Sequence, residues 1–501
     1  MPSPTPRRPR ASFLALVLLA VVATLVSAPG AQARPAVPDS GKVAVGSTAR
    51  AAHALERVRD VFGGGRGDAT MALRDLAMLK SELTGADRAA AERRLGRPGG
   101  KDQKLCSAVV CVHYETPETT PSYAQTALDT VTAVHQFYVA AGYRAPKPDG
   151  AKGGSALTDI YLADIGSDGL YGYCSTDEDV AFEAPWDRWA FCVLDNDYST
   201  TEFPTNTPIE NLQVTAAHEY FHAVQFAYDF AEDGWFLEAT AAWVEDEAFD
   251  DVDDNVQYLQ AQSPLKQSRI SMDKFGGLRH YGAWIFFRYL TERFPADQGG
   301  LPTLVRDMVR KTDGSAGARD FYSWQAVSKV LRARGLPAAK AFAAFAAANR
   351  RPAKNYSEGA AQHYPTPPLV GRATVAGVAK AELRLDHLAS ASYRYTPAKA
   401  LANKAWRLRL NVDMQPTSRG SAALVTTYLK SGKVQVQWVR LDKQGNGTRG
   451  VPFSRQTVKF VDVTLVNSSG RFDCWKGTPF SCSGKPKDDN MLQRLTVRPF
   501  R

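Results

Sequence analysis

Hydrophobic and polar positions change period several times along the chain, and each change predicts a different kind of element. Over residues 69–95 apolar positions recur every three or four residues among Ala, Arg and Glu, which is the spacing of one helix face. That pattern ends in Gly96-Arg97-Pro98-Gly99-Gly100, a run that cannot continue a helix. Short β-type runs at 111–114, 159–163 and 189–194 then predict strands, with an amphipathic helix over 123–140 after the first. Two helices follow in close succession, 212–230 and 235–249, parted only by Glu232-Asp233-Gly234. Helical spacing dominates 281–349, with segments at 281–294 and 337–349, the latter opening on a proline at a tolerated first position. Tyr364-Pro365-Thr366-Pro367-Pro368 closes this part, and beyond it the period falls to two. Trp406, Leu408, Leu410 and Val412 alternate with Arg407, Arg409 and Asn411, and the theme returns at Val434, Val436 and Trp438 and over 457–466. These patterns predict an α+β protein: a small mixed sheet feeding a long helix and a helical half, followed by a β-sandwich over 369–501.

At 501 residues the chain exceeds one compact core and should divide into two or three domains. Residues 1–33 read as a secretory signal peptide, with Arg7, Arg8 and Arg10, an apolar run over 13–26 and Ala31-Gln32-Ala33 as cleavage site. The run is shorter than the ~20 residues that span a bilayer, so the expectation is a secreted, extracellular protein beginning near Arg34 with no membrane association after cleavage. Residues 34–104 form a separable helical block, either a removable pro-segment or a hairpin packed permanently on the 105–363 domain. The formal charge of +9 falls to +6 without the three leader arginines, an excess too mild and too dispersed to argue for nucleic acid or membrane as partner. Six cysteines fall as three close pairs, Cys106 with Cys111, Cys174 with Cys192 and Cys474 with Cys482, which in an exported chain suggests local disulfides.

The chemistry concentrates at His218-Glu219-Tyr220-Phe221-His222. Residues four apart on a helix share a face, so both imidazoles can reach one ion while Glu219 projects toward a water beside it. With 8 His in the chain, a chance His-Glu-x-x-His has a probability on the order of 0.01. Neutral nitrogen ligands with an adjacent carboxylate suit Zn²⁺. The third ligand comes from Glu232, Glu238, Glu245 or Glu247. Glu238 is favoured because it follows a chain reversal that can return it beside His222, with Glu245 two turns further on as a partner for a ligand histidine. Asp195 with Asp197, and the run Asp250, Asp251, Asp253 and Asp254, are the places where Ca²⁺ could bind, although neither has an EF-hand spacing. His113, His135 and His363 have no partner at ligand spacing and read as structural.

His218-Glu-x-x-His222 followed by Trp235-Phe236-Leu237-Glu238-Ala239-Thr240-Ala241-Ala242-Trp243 resembles the gluzincin branch of zinc metallopeptidases. It is similar, more closely, to a group of secreted bacterial proteins identified as metalloproteases by their motif. Three other stretches carry that likeness: Thr158-Asp159-Ile160-Tyr161-Leu162-Ala163-Asp164 with Gly169-Leu170-Tyr171-Gly172-Tyr173, then Val193-Leu194-Asp195-Asn196-Asp197, and Leu73-Arg74-Asp75-Leu76-Ala77. The resemblance spans about residues 70–350. It implies a zincin-like catalytic domain, zinc held by His218, His222 and Glu238, and Glu219 as general base in peptide hydrolysis. It also implies a tyrosine or histidine from the later helical region, here Tyr281 or His280, that stabilises the oxyanion. The sequence departs from the gluzincin pattern where Ala242 stands in place of an acid four residues after the glutamate. The competing expectation is an inactive zincin scaffold whose β-domain binds wall or polysaccharide, against which the intact Glu219 counts. Substrates are expected to be proteins or peptides, with cell-wall association through the C-terminal domain as the further partner.

Overall fold

The computed structural model describes residues 47–180 and 182–501; the expected signal peptide lies outside them. The described part opens with three helices, α1 (Ser47–Val61), α2 (Ala69–Leu79) and α3 (Gly85–Leu95). The helical pattern expected over 69–95 is thus broken near Leu83, where the backbone turns extended. Among the described residues a five-stranded sheet follows, β1 (Gln103–Cys106), β2 (Val110–Tyr114), β3 (Thr158–Ala163), β4 (Gly172–Ser175) and β5 (Phe191–Asp195), in the order β1-β2-β3-β5-β4. Its middle pairs are parallel and its outer pairs antiparallel. The parallel crossover from β2 to β3 carries α4 (Pro121–Ala140), capped by Thr120 with Pro121 at its first position.

The sheet packs on α5 (Pro208–Asp229), and α6 (Gly234–Ala248) returns alongside α5 after a four-residue turn. The helical half continues with α7 (Val256–Gln262), α8 (Arg279–Gly282) and α9 (Trp284–Thr291), then a hairpin of β6 (Asp297–Gln298) and β7 (Leu301–Pro302), α10 (Thr303–Val309), α11 (Trp324–Ala333), α12 (Ala338–Ala348) and α13 (Pro352–Asn355). The single helix expected over 281–294 is divided at Ala283.

The C-terminal half is β-rich. One sheet runs β13 (Val434–Val439), β12 (Ser421–Leu429), β15 (Val458–Asn467), β10 (Ala389–Pro397), β8 (Gly371–Val375). The other runs β14 (Asn446–Pro452), β11 (Arg407–Asp413), β18 (Met491–Phe500), β9 (Ala379–Leu385), and a small hairpin joins β16 (Phe472–Asp473) to β17 (Lys485–Pro486). Inward side chains of the two large sheets, such as Leu410, Val425, Val463 and Val497, form one apolar core, the packing of a sandwich. The outer face of the five-stranded member lies on α12, so that Leu424 and Val466 join the larger core of the N-terminal part. Three disulfides close the expected pairs, Cys106–Cys111, Cys174–Cys192 and Cys474–Cys482. Among the described residues no helix is long and apolar enough to cross a membrane.

Candidate metal centre

Helix α5 is set by its first turn. Thr207 Oγ1 accepts from Glu210 N–H at 3.3 Å, Glu210 Oε2 accepts from Thr207 N–H at 2.8 Å, and Pro208 supplies a pre-formed φ. From Val214 onward the helix is buried on every side, which carries His218, Glu219 and His222 inside with it. The reversal at residues 230–233 sets α6 antiparallel to α5, and Glu238 on its second turn faces both imidazoles. Glu238 Oε2 lies 3.1 Å from His218 Nε2, and Glu238 Oε1 lies 3.2 Å from His222 Nε2. Tetrahedral ligands at zinc distances of ~2.0–2.1 Å stand roughly 3.3 Å apart, so these separations suit three groups sharing one ion. His222 Nε2 and Glu238 Oε1 are moreover buried with no hydrogen-bond partner. Leaving two such atoms unsatisfied costs free energy that a cation between them would recover. The donor set therefore fits a divalent ion of the zinc type, and the three residues form one of the clusters able to hold one.

The far sides of both rings are held. His218 Nδ1 lies 2.5 Å from Glu245 Oε1, and His222 Nδ1 lies 2.7 Å from Gln225 Oε1. Gln225 cannot rotate away, because its Nε2 donates to Leu237 O at 3.0 Å and to Thr240 Oγ1 at 2.8 Å. With Nδ1–H pointing at an acceptor in each case, the Nε2 lone pairs turn toward Glu238. Burial disfavours a charge on Glu238, yet the two imidazoles outweigh it and hold its carboxyl well below the usual range. Burial pushes Glu245 up to about 7 against the pull of His218.

Glu219, one step round α5 from His218, lines a cavity of about 250 Å³ with His218, Tyr171, Tyr258, Leu278 and Tyr281. Its Oε2 accepts from Thr70 Oγ1 at 3.2 Å, and Thr70 accepts in turn from the Cys174 N–H at 2.9 Å. Burial raises the Glu219 carboxyl, opposed by the two histidines. Gly172 lets β4 pass this close: a Cβ there would stand 2.8 Å from Glu219 Cγ and 2.8 Å from Thr215 Cγ2.

Tyr281 reaches the cavity, its ring 6.0 Å from that of His218 and its hydroxyl donating to Asp68 Oδ2 at 3.1 Å. His280 does not line this cavity. It stacks on Phe275 at 4.1 Å between centroids and faces a larger space, about 340 Å³, on the other side of Asp68. It stays beside Tyr281, with ring centroids 4.3 Å apart, and its Nε2 lies 3.4 Å from Asp68 Oδ2, the same oxygen that accepts from the Tyr281 hydroxyl. Glu232 is apart from the histidines, accepting from Ser323 N–H at 3.0 Å, and Glu247 lies 3.6 Å from Arg288. Asp195 accepts backbone N–H groups of Gly166 at 2.8 Å and Tyr198 at 2.7 Å, which ties two loops together; Asp197 and Glu202 converge beside it. Asp254 accepts from Asn206 and Gln257 side-chain amides, and Asp250 lies 3.9 Å from Arg288. Of the other histidines, His113 bonds Asp159 at 2.7 Å and His135 bonds the Tyr220 hydroxyl at 2.7 Å. Gln225, Thr70, Asp68 and Gly172 are the site residues that sequence reasoning did not single out.

Fold and side chains thus define a mixed α+β protein with a β-rich C-terminal half and a buried His-His-Glu cluster able to hold a metal. No family model matches the chain, and no curated protein matches it. Fourteen chains of solved structures do. One is a family GH115 4-O-methyl-α-glucuronidase with specificity for decorated arabinogalactans, at 7% identity and a TM-score of 0.14, over 58% of this chain. The match spans 38% of that enzyme's chain, and a likeness this slight carries no argument about fold or activity.

Proposed function

We propose that the protein is an exported zinc-dependent hydrolase of the zincin type that cleaves peptide bonds. The observation that carries this reading is the buried trio His218, His222 and Glu238, with two unpartnered ligand atoms at 3.2 Å and Glu219 opening onto the adjacent cavity. Zinc bound there would supply Lewis acidity toward a water molecule and a carbonyl oxygen. Glu219 takes the proton of the attacking water and delivers it to the amine nitrogen as the carbon–nitrogen bond breaks. Tyr281 donates its hydroxyl to the carbonyl oxygen as negative charge develops there, exchanging Asp68 for substrate. Glu245 and Gln225 keep the two rings in the orientation that binding requires. The leader pattern and the three disulfides support export. Glu219 is a general base with no purpose in an inert scaffold, which favours the enzyme over a purely binding role.

The test is cleavage of unfolded casein by the mature protein and by Glu219→Gln. The reading expects chelator-sensitive cleavage that the variant loses by at least about 100-fold while keeping its metal. Metal-loaded, folded protein that cleaves no peptide, or a variant as active as the parent, would overturn it.

A further inference from the structure

The basic excess, dispersed when taken over the whole chain, is in fact concentrated. Residues 369–501 carry 23 Lys and Arg against 8 Asp and Glu, a net +15, whereas the preceding 368 residues sum to −6 (38 against 44). An asymmetry of this size between two parts of one chain points to a partner of opposite sign. The sandwich also decides where the charge goes. Its five-stranded sheet is covered on one face by the core and on the other by α12, which leaves the outer face of β14-β11-β18-β9 free. Along β11, Arg407, Arg409, Asn411 and Asp413 are exposed while Leu408, Leu410 and Val412 are buried.

Residues directly opposite in neighbouring strands share a face. Register sets Arg409 against Arg498 and Arg407 against Phe500, and on the next strand Lys380 against Thr496 and Arg384 against Leu492. Like charges directly opposed are destabilising, so Arg409 and Arg498 ask for a reason. Arg494 on the same face is neutralised by Glu382 at 3.1 Å and Asp413 at 3.0 Å. Among the described residues the other five cations, Lys380, Arg384, Arg407, Arg409 and Arg498, have no acid within 4.0 Å.

Chemistry selects among polyanions. A lipid surface is met by exposed apolar side chains standing among the cations. Here the apolar residues that the register puts on the face, Leu492 and Phe500, are half-buried, the exposed Val378 stands at its edge before β9, and Asn411, Thr448 and Thr496 lie between the cations. Single-stranded nucleic acid requires open aromatic rings on which bases stack, and here the Arg409 guanidinium covers Phe500 at 4.6 Å from its centroid. Four strands side by side make a sheet too broad for the major groove of a duplex, which admits two. Guanidinium forks on a flat polar surface suit carboxylates spaced along an extended chain, each taken in bidentate fashion. We propose that the free face of this sheet binds a linear anionic polysaccharide, holding the protein on it from the side of the sandwich turned away from α12.

The experiment is affinity electrophoresis of the full mature chain through polygalacturonate, with neutral dextran as the blank. Polygalacturonate should retard the protein, dextran should not, and raising salt from about 50 to 200 mM should weaken binding about tenfold or more. Arg409→Glu with Arg498→Glu should weaken it at least about tenfold with thermal unfolding unchanged. If that pair disturbs folding, Arg409→Gln with Arg498→Gln serves, with a smaller loss. Lys329→Glu with Arg332→Glu, on the helical half, should leave binding as it was. The inference is overturned by absence of retardation, by equal losses in the two charge-reversed pairs, or by tighter binding to duplex DNA or phosphatidylglycerol vesicles than to polygalacturonate at the same salt. None of these readouts depends on peptide hydrolysis.

Discussion

The two histidines are held in a common orientation by what stands behind them. Glu245 and Gln225 hold Nδ1 of His218 and His222, and each fixes a ring that could otherwise rotate about its side-chain bonds. Partners of this kind usually contribute 10–100-fold to metal affinity. Glu245→Ala and Gln225→Ala should each therefore weaken zinc binding by roughly that factor in competition with a chromophoric chelator, with Glu245 the greater because a charged acceptor holds the ring more firmly. Equal affinity in all three proteins would show that the rings are fixed by packing alone. The i, i+4 spacing of the histidines was legible because it follows from helix geometry across one turn, and the return of Glu238 because Glu232-Asp233-Gly234 marks a reversal between two helices. Glu245 was legible as a candidate for the same reason. Thr70 was not, since its bond to Glu219 spans 149 residues and no local pattern encodes it. Asp68 likewise has a local task, capping α2 by accepting from the Met71 N–H at 2.8 Å, that conceals its distant one at Tyr281.

Among the elements, β4 and the start of α2 shape the space around Glu219. Because Gly172 touches both Glu219 and Thr215, Gly172→Ala must push β4 away from α5 or displace the carboxylate. Overpacking of this kind costs roughly 1–3 kcal/mol, so a lower midpoint in urea and a fall in turnover with metal content preserved are expected; an unchanged midpoint would mean that the strand shifts freely. Helices α1 and α2 bury Leu55, Val58, Leu73 and Leu76 in the same core as α5 and α6. Arg74 donates to Glu232 O at 2.7 Å, and Arg97 after α3 is enclosed by Asp149, Asp159 and Asp177. Deleting residues 47–100 should accordingly yield aggregated or poorly folded chain instead of an activated enzyme, judged by circular dichroism and gel filtration. A folded, metal-loaded and active product would restore the pro-segment alternative. The break between α8 and α9 escaped sequence reading because its cause is tertiary: Gly282 lies where a Cβ would be 2.7 Å from Gln262 O at the end of α7.

For the molecule as a whole, the junction between the helical half and the sandwich combines the apolar contact of α12 with a buried, ion-paired histidine. His387 is buried between Asp273 of the helical half, at 2.9 Å, and Asp489 of the sandwich, at 2.7 Å. Burial opposes its charge, but the two carboxylates prevail and raise the imidazole to about 10. A folded-state value above the unfolded ~6.5 means that the stabilisation is complete below pH ~6.5 and fades as pH rises through about 10. Its upper limit is roughly 5 kcal/mol, at ~1.36 kcal/mol for each pH unit between the two values. Thermal midpoints should fall between pH 7 and 10, and His387→Gln should be less stable at pH 6 with a flatter profile; parallel profiles would assign the slope to other groups. Alternation along β11 made the sandwich legible, since two exposed-to-buried periods decide a sheet's faces. The side on which it docks was not legible, because β10, β12 and β15 carry Ser, Thr and Asp that read as solvent-facing and are nevertheless buried, a covering that only the tertiary contact with α12 reveals.

Whether His218, His222 and Glu238 hold one zinc ion is decided by elemental analysis and X-ray absorption on the purified chain beside His222→Ala. The parent should carry about one zinc per chain, with two imidazole nitrogens among oxygen ligands at ~2.0–2.1 Å, and the variant should lose the ion. Well-folded protein that takes up no metal, or zinc retained undiminished in His222→Ala, would contradict it.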